Sequence, residues 1–367
     1  MTEAREKGLR VVVWYQSGHR DLPWRKTTDP YRILVSELML QQTRVETVLG
    51  YYERFLEAFP DATSLACASG EAVMSLWQGL GYYSRARNLQ KAVIAVIESH
   101  GGVFPSDPKL LGQLPGIGPY TAGAIASIAF NVPAPAVDGN VLRVMSRLLC
   151  LEGDIGQATT KNSVTLAVRD MIPAQHAADF CQGMMELGAT VCTPVSPDCA
   201  HCPLQGDCMA YVRQMVGKFP IRTPKAAPQD SCQAVFLVVD PHDRVLLVFR
   251  KSGLLGGLWG LPHFESESDE PDLEELITHL HGEPMMEEGQ LVLRNLVGTT
   301  RHVFTHRLWR MRIWRVDFLS VQITESESES YKWLPMGLLD TVPIPEAFRK
   351  VLRVAGMSRK GGASHGN

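Results

Sequence analysis

Along residues 1 to about 220, apolar side chains recur at intervals of three and four, the period of a helix buried on one face. The runs YYERFLEAF, EAVMSLWQGL, NLQKAVIAVIESH and VLRVMSRLLC carry this pattern. Breaks rich in Pro, Gly and Asp, among them FPDATS, GGVFPSDPKLL and NVPAPAVDGN, separate them. FPIRTPKAAPQDS, residues 219–231, then spaces Pro220, Pro224 and Pro228 along a polar segment, the composition of a semi-extended linker. Beyond it the grammar changes. CQAVFLVV and RVLLVFR are short β-rich runs that DPHD joins as a hairpin, and RHVFTHRLWRMRIWRVDFLSV adds strand material. DLEELITHL and PEAFRKVLRVAG read as helices, and SRKGGASHGN as a frayed tail. The pattern predicts an all-α domain over 1–218, a linker over 219–231, an α+β domain over 232–355 and a disordered tail over 356–367.

One helix of the first domain holds an awkward residue. In DPYRILVSELMLQQT, residues 29–43, Asp29 and Pro30 read as N-cap and first helical position. Glu37 then stands among Ile33, Leu34, Val35, Leu38, Met39 and Leu40. A helix this apolar is buried, and a buried unpaired carboxylate is costly, so Glu37 asks for a chemical explanation.

Composition narrows the classes. The 367 residues are 45% hydrophobic and 20% charged, enough apolar content for two cores and too little charge for a disordered chain. A net charge of −3 gives no bulk signal for nucleic acid, although a local basic groove fits inside such a chain. The opening MTEAREKGLRVVVWYQ lacks the layout of a signal peptide, and no apolar run reaches the length of a membrane span. The expectation is a soluble cytoplasmic protein that does not enter a membrane. In that compartment its eight cysteines point to a metal site sooner than to disulfides.

Cys192, Cys199, Cys202 and Cys208 follow the spacing C-x6-C-x2-C-x5-C in the loop CTPVSPDCAHCPLQGDC. Four thiolates this close suit zinc or an iron–sulfur cluster, and spacing alone does not choose. Cys67, Cys150, Cys181 and Cys232 are isolated and read as small buried hydrophobes. In LPGIGPYTAGAIASIAF, Gly116 and Gly118 allow a tight turn between two helices within about 110–130, the second opening at Pro119 and Tyr120 with free N–H groups for a phosphate. Asp138, twenty residues after Gly118, precedes a helix carrying Arg143 and Arg147 one turn apart; an N-cap is its simplest role. Trp24, Arg25 and Lys26, with Tyr82, Tyr83, Arg85 and Arg87, interleave aromatic and basic side chains suited to bases and phosphates.

Together LPWR, DPYRILVSELMLQQTRVETV, GLGYYSRARNL, LPGIGPYTAGAI, AVDGNVLRV, ELGATVC and the four-cysteine loop closely resemble the adenine DNA glycosylase (MutY) family of the helix-hairpin-helix glycosylase superfamily. The resemblance implies a multi-domain protein: an all-α helix-hairpin-helix glycosylase domain with an iron–sulfur loop over 192–208, followed by an α+β Nudix-like domain. It implies a 4Fe-4S cluster on the four cysteines, and excision of adenine from double-stranded DNA containing 8-oxoguanine:adenine or guanine:adenine mispairs, by a monomer on the nucleoid. Glu37 becomes the general acid toward adenine, its pKa raised by desolvation. Asp138 becomes the group that stabilises or captures the sugar cation. Tyr120 stands where the endonuclease III-like branch carries the lysine that forms a Schiff base, so a monofunctional enzyme is implied, with Tyr120 hydrogen-bonding near Asp138. Similarity further places Trp24, Arg25, Leu40 and Gln182 in the adenine pocket, Gln42 and Tyr82 as wedges, and Thr43 near the oxidised guanine.

The second domain resembles the Nudix-like module of the same family through SGLLGGLWGLPHFE and YKWLPMGLLD. The catalytic acidic box of Nudix hydrolases is replaced by ESESDEPDLEELITHL, which leaves no evident Mg²⁺ cage. Recognition of 8-oxoguanine remains, through Phe304, Thr305 and His306 of HVFTH, with threonine where the family commonly has serine. Three other readings stand beside this one: an endonuclease III-like lyase, a Nudix hydrolase fused to a DNA-binding module, and a catalytically silent damage sensor. Tyr120, the missing box and the pair Glu37 and Asp138 speak against them in turn.

Overall fold

The computed structural model describes residues 2–224, 226–251, 253–266, 273–280, 289–320 and 330–357. Its contacts divide into two units, Met1–Ser69 with Ser84–Lys225, and Gly70–Tyr83 with Ala226–Asn367.

Among its described residues the first unit is helical, with α1 (Glu3–Ser17), α2 (Pro30–Leu40), α3 (Val45–Ala58) and α4 (Ala62–Cys67). After α5 (Gly70–Trp77), which groups with the second unit, come α6 (Ser84–His100), α7 (Pro108–Leu111), α8 (Pro119–Phe130) and α9 (Gly139–Leu149). α10 (Ala158–Met171), α11 (Ala177–Thr190) and α12 (Met209–Val212) complete it. The α2 helix starts as the sequence predicts: the Asp29 side chain accepts from the Tyr31 N–H at 2.9 Å, with Pro30 in the first turn. From Ile33 to Met39 every side chain of α2 is buried, Glu37 included. Helices α1, α9, α10 and α11 share a core containing Val11, Val141, Met145, Val168, Phe180, Met184 and Leu187. The α9–α11 approach is so close that a Cβ on Gly188 would lie 2.6 Å from the Asn140 Cβ. Between α7 and α8, Gly116 has φ +72°, and a Cβ there would meet Asn88 at 2.4 Å, so this turn requires glycine twice over. Gly118 caps α8 with an ordinary φ of −86° and open space beside it.

In the second unit β1 (Gln229–Val239), β2 (Arg244–Arg250), β3 (Leu258–Gly260), β4 (His263–Glu265), β5 (Gly289–Val303), β6 (Arg307–Ser320) and β7 (Tyr331–Pro335) form one mixed sheet. The order is β3-β2-β1-β6-β5, with β4 beside β1 and β7 beside β2. β1 runs parallel to β6 from Gln229↔Arg307 to Val239↔Asp317, and every residue from Ala234 to Val239 is buried. A strand covered on both faces needs two apolar layers. Val235, Leu237, Met311 and Ile313 face α14 (Glu346–Val354) through Phe348 and Val351, while Phe236, Val238, Val316 and Phe318 face Leu276 of α13 (Leu273–Leu280). DPHD closes the predicted hairpin: Asp240 accepts from the His242 and Arg244 N–H groups.

The segment read as a linker is held at both ends. Phe219 is buried, the Ile221 carbonyl accepts from the Ile155 N–H at 3.0 Å, the Thr223 N–H donates to Asp154 at 2.9 Å, and β1 begins at Gln229. The span 70–83 lies within the sequence of the predicted helical domain yet groups with the sheet, where Glu71 pairs with Lys332 at 3.1 Å. Of the four isolated cysteines only Cys181 is buried. Cys150 and Cys232 are partly exposed, and Cys67 is exposed at the end of short α4, where no neighbour covers it as the sequence reading supposed. Residues 267–272 of the acidic stretch and the tail beyond Met357 lie outside the described residues. Among the described residues no helix is long and apolar enough to cross a membrane.

Candidate active site

Three helices of the first unit bring Glu37, Tyr120 and Asp138 to one cavity of about 480 Å³. Glu37 comes from the buried run of α2 and is 5% exposed. Tyr120, in the first turn of α8, donates its hydroxyl to Glu37 Oε2 at 2.6 Å and lies 3.8 Å from Met185 Sδ. The resemblance implies a Tyr120 hydrogen bond near Asp138; the hydroxyl lies within reach of the Asp138 charge, and the packing of α2 against α8 makes Glu37 its acceptor. Asp138 is indeed the N-cap of α9: Oδ1 accepts from the Val141 N–H at 2.7 Å and Oδ2 from Asn140 Nδ2 at 2.8 Å.

The electrostatics follow from burial. Desolvation pushes the Glu37 carboxyl from 4.5 up to about 7, against the Tyr120 hydrogen bond and with help from the Asp138 charge. Burial also raises Asp138, opposed by the Val141 and Asn140 donors. The Tyr120 phenol is driven well above its ordinary value by burial and by both carboxylates, so it remains a donor at neutral pH.

Trp24, Arg25, Leu40 and Gln182 line the same cavity, as do Gln42 and Thr43. Trp24 is wedged edge-on against Tyr52 at 5.4 Å. The sequence reading missed three further residues. Glu186 on α11 is 2% exposed and accepts from Arg20 Nη2 at 2.6 Å and Arg25 Nη2 at 2.7 Å. Burial alone would raise it, but these guanidinium donors hold it at about 2. It repeats the signature that singled out Glu37, one acid in the apolar helix FCQGMMELGA, and the same reasoning would have found it. Arg20 and Asn140 carried no local signal of that kind.

Gln42 and Tyr82 both hold left-handed backbone, with φ 58° and 47°, a conformation that costs a non-glycine residue and collects at functional sites. In the second unit Phe304, Thr305 and His306 form the β5–β6 turn. Phe304 packs edge-on against Trp309 at 4.9 Å, Thr305 and His306 are exposed, and Thr305 Oγ1 lies 3.2 Å from the Tyr82 hydroxyl.

The four loop cysteines surround one small cavity together with Arg147. Among the described residues no three His, Cys, Asp or Glu side chains are placed to hold a single metal ion. The donor set nevertheless suits an anionic centre. Arg147 is 2% exposed, and its hydrogen bonds go to the carbonyls of Thr193, Pro194 and Phe219 and to Cys192 Sγ at 3.3 Å, with no carboxylate among them in the described residues. A buried guanidinium calls for a counter-charge, which deprotonated thiols would provide. Burial pushes Cys202 up to about 11 and raises Cys199 and Cys208, so any metal centre has to displace their protons. Arg143, the other arginine of α9, donates to the Cys192 and Gly188 carbonyls and to Asn140 Oδ1. Both arginines therefore serve the loop.

Comparison with known proteins covers both units. A model described as HhH-GPD superfamily base excision DNA repair protein matches residues 35–169, and a NUDIX domain model matches residues 234–354. The chain is 34% identical to the adenine DNA glycosylase of Mus musculus across 96% of its length and 78% of that protein. The chain belongs to the adenine DNA glycosylase family. Against the Homo sapiens member the identity is 32%, covering 94% of this chain and 73% of that one. A solved thermostable thymine-DNA glycosylase superposes at a TM-score of 0.51 and 27% identity, spanning 57% of this chain and 97% of its own. Membership of the adenine DNA glycosylase family makes this chain a glycosylase, a hydrolase of N-glycosidic bonds. The first match encloses Glu37, Tyr120 and Asp138 and ends before the cysteine loop, while the second encloses the turn at 304–306.

Proposed function

We propose that the protein binds duplex DNA and excises adenine paired with 8-oxoguanine or guanine, leaving an abasic site. Glu37 carries this reading: a buried carboxyl titrating at about 7 in a cavity of base size is a proton donor at neutral pH. An enzyme acting on one base of a duplex takes that base out of the stack. Glu37 then gives its proton to a ring nitrogen of adenine, and the glycosidic C–N electron pair departs with the base. Asp138 faces the sugar cation left behind. Water adds to that cation and yields its proton to the Glu37 carboxylate, which restores the starting state. Tyr120 has no amine for an imine, so the strand stays intact. Gly116 and the open N-terminus of α8 suit a DNA phosphate. In the first unit Gln42 and Thr43 are the residues offered to the opposite base. For the second unit, taken by itself, a part in reading the lesion is assigned to Tyr82 and the turn Phe304–His306. Cys192, Cys199, Cys202 and Cys208 would hold a 4Fe-4S cluster, whose contribution is four covalent ties closing the loop.

The decisive assay is single-turnover release of adenine from an 8-oxoguanine:adenine duplex, read with and without alkali. Release seen only after alkali supports a monofunctional glycosylase. Tight binding without release would leave a damage sensor, and cleavage without alkali a lyase. Removing the Thr305 hydroxyl by the near-isosteric Thr305→Val should lower the preference for 8-oxoguanine over guanine by about tenfold, the worth of one polar contact, with the guanine:adenine rate little changed. Equal losses on both duplexes would exclude a lesion-reading role for Thr305.

Tyr120→Phe separates geometry from proton affinity. Its hydroxyl stabilises the ionised form of Glu37, so its loss raises the Glu37 pKa further. The alkaline limb of the excision rate should move up by about one to two units, because a hydrogen bond to a charged group is worth on the order of 1.5–3 kcal/mol. A limb that stays in place or moves down counts against the assignment.

A further inference from the structure

Arg85, which the sequence offers as one more basic residue for phosphates, is buried at 6% exposure in the first turn of α6. Its Nη1 donates to the carbonyls of Leu38 at 2.8 Å, Met39 at 2.9 Å and Gln41 at 2.5 Å, and its Nη2 donates to Thr43 Oγ1 at 3.3 Å. The Leu38 and Met39 carbonyls are among the acceptors that the end of α2 leaves without partners inside the helix, and a cation there also meets the negative end of the helix dipole. A plain cap would need only the first two. The other bonds fix the path of the chain after the helix, through Gln42 in its left-handed conformation to Thr43, whose N–H donates to the Leu40 carbonyl at 3.3 Å. Gln41 is pinned independently, its Nε2 lying 3.4 Å from Thr121 Oγ1, next to Tyr120 in α8. One planar guanidinium thus grips, within six residues of chain, the helix end just past Glu37 and the segment assigned to the opposite base.

We infer that Arg85 is a positioning residue that couples the opposite base to the acid. Contact of Gln42 and Thr43 with an oxidised guanine is passed through the Arg85 fork to the end of α2, and there sets where Glu37 stands relative to adenine. The inference rests on the lesion-side reading of Gln42 and Thr43. Its leverage comes from the tolerance of acid catalysis to displacement: a misplacement of about 1 Å costs on the order of 10²-fold. Lysine cannot replace this arrangement, since its ammonium is a point donor without a planar fork.

The test uses the full chain as Arg85→Lys, with Arg85→Gln in parallel because it keeps a polar side chain while removing both the charge and the fork. Single-turnover excision rates are measured on 8-oxoguanine:adenine and guanine:adenine duplexes, each normalised to titrated active sites. The expected result is a loss of about tenfold or more in the ratio of the two rates, carried by the 8-oxoguanine duplex, with the guanine duplex within about twofold of the parent. A purely structural cap would lower the active fraction and leave the ratio alone, which overturns the inference. So does the absence of titratable sites in both variants, because Arg85 then serves folding. A parent that prefers 8-oxoguanine while both variants keep that preference removes only the role of Arg85. A parent that releases no adenine from either duplex removes the functional reading and this coupling together.

Discussion

Exchanging Glu37 for glutamine should cut single-turnover adenine release by at least about 10³-fold while leaving duplex binding in place. The amide fills the same volume and still accepts from Tyr120, so what disappears is the transferable proton. For the parent, excision should decline as pH rises through about 7, where Glu37 gives up its proton. The same shift has a consequence for stability whose sign is opposite to that of a salt-bridged acid. Glu37 titrates at about 7 when folded against 4.5 for the free group, so between those values the folded chain holds a proton that the unfolded chain has released. Its contribution is fully present below about 4.5 and is lost as pH rises through about 7, on the order of 3 kcal/mol in all. Above pH 7 the parent therefore carries a buried charge that Glu37→Gln lacks. The glutamine protein should melt higher than the parent at pH 8, with the gap closing toward pH 5. Melting curves at the two pH values check this, and a glutamine protein that is less stable at pH 8 would show that Glu37 is ionised without strain.

What could be read from the sequence, and what could not, divides along a physical line. The start of α2, the glycine turn before α8 and the Asp138 cap are local: each is settled by side chains within a few residues of the backbone groups they satisfy. Glu37 was legible because an acid in an apolar run is a local contradiction, and the all-α and α+β periods announced the two fold classes. Partner choice across helices was not legible. Nothing near Tyr120 says that its hydroxyl reaches Glu37, nothing near Arg85 says that it turns inward onto α2, and nothing near Arg143 and Arg147 says that both serve the cysteine loop. Those pairings depend on where α8, α6 and α9 come to rest. Arg143 shows the limit most clearly: its bond to Asn140 lies within α9, but its bond to the Gly188 carbonyl exists only because Gly188 lets α11 approach α9 closely.

The second large effect is expected at the other end of α9. Cys202→Ala should yield protein without bound iron, less stable by several kcal/mol, and with excision reduced by more than about 100-fold, because a bound metal centre contributes its binding energy to folding. Leu204, buried in the helical core, and Asp207, paired with Arg10 and Lys7, tie down part of the loop. Met209, Tyr211, Val212 and Val195 leave large apolar surfaces exposed around it, so burial contributes less here than in the core of α1, α9, α10 and α11. The first residues of the loop are secured by Arg147, through carbonyl contacts and Cys192 Sγ, and by Arg143 through the Cys192 carbonyl. A guanidinium buried this deeply beside a cysteine sulfur is stabilised by negative charge on the thiols, so cluster and arginine should depend on each other. Arg147→Met is accordingly expected to retain less than about half of the parent iron and to lose about 3–5 kcal/mol, the usual effect of removing one side of a buried charge pair. Iron and sulfide content per chain, visible absorbance and melting temperature report the three quantities separately. Full iron content in Arg147→Met would show that the cluster does not depend on this cation. Zinc in place of iron in the purified parent would refute the cluster itself, while leaving Glu37, Tyr120 and Asp138 where they are.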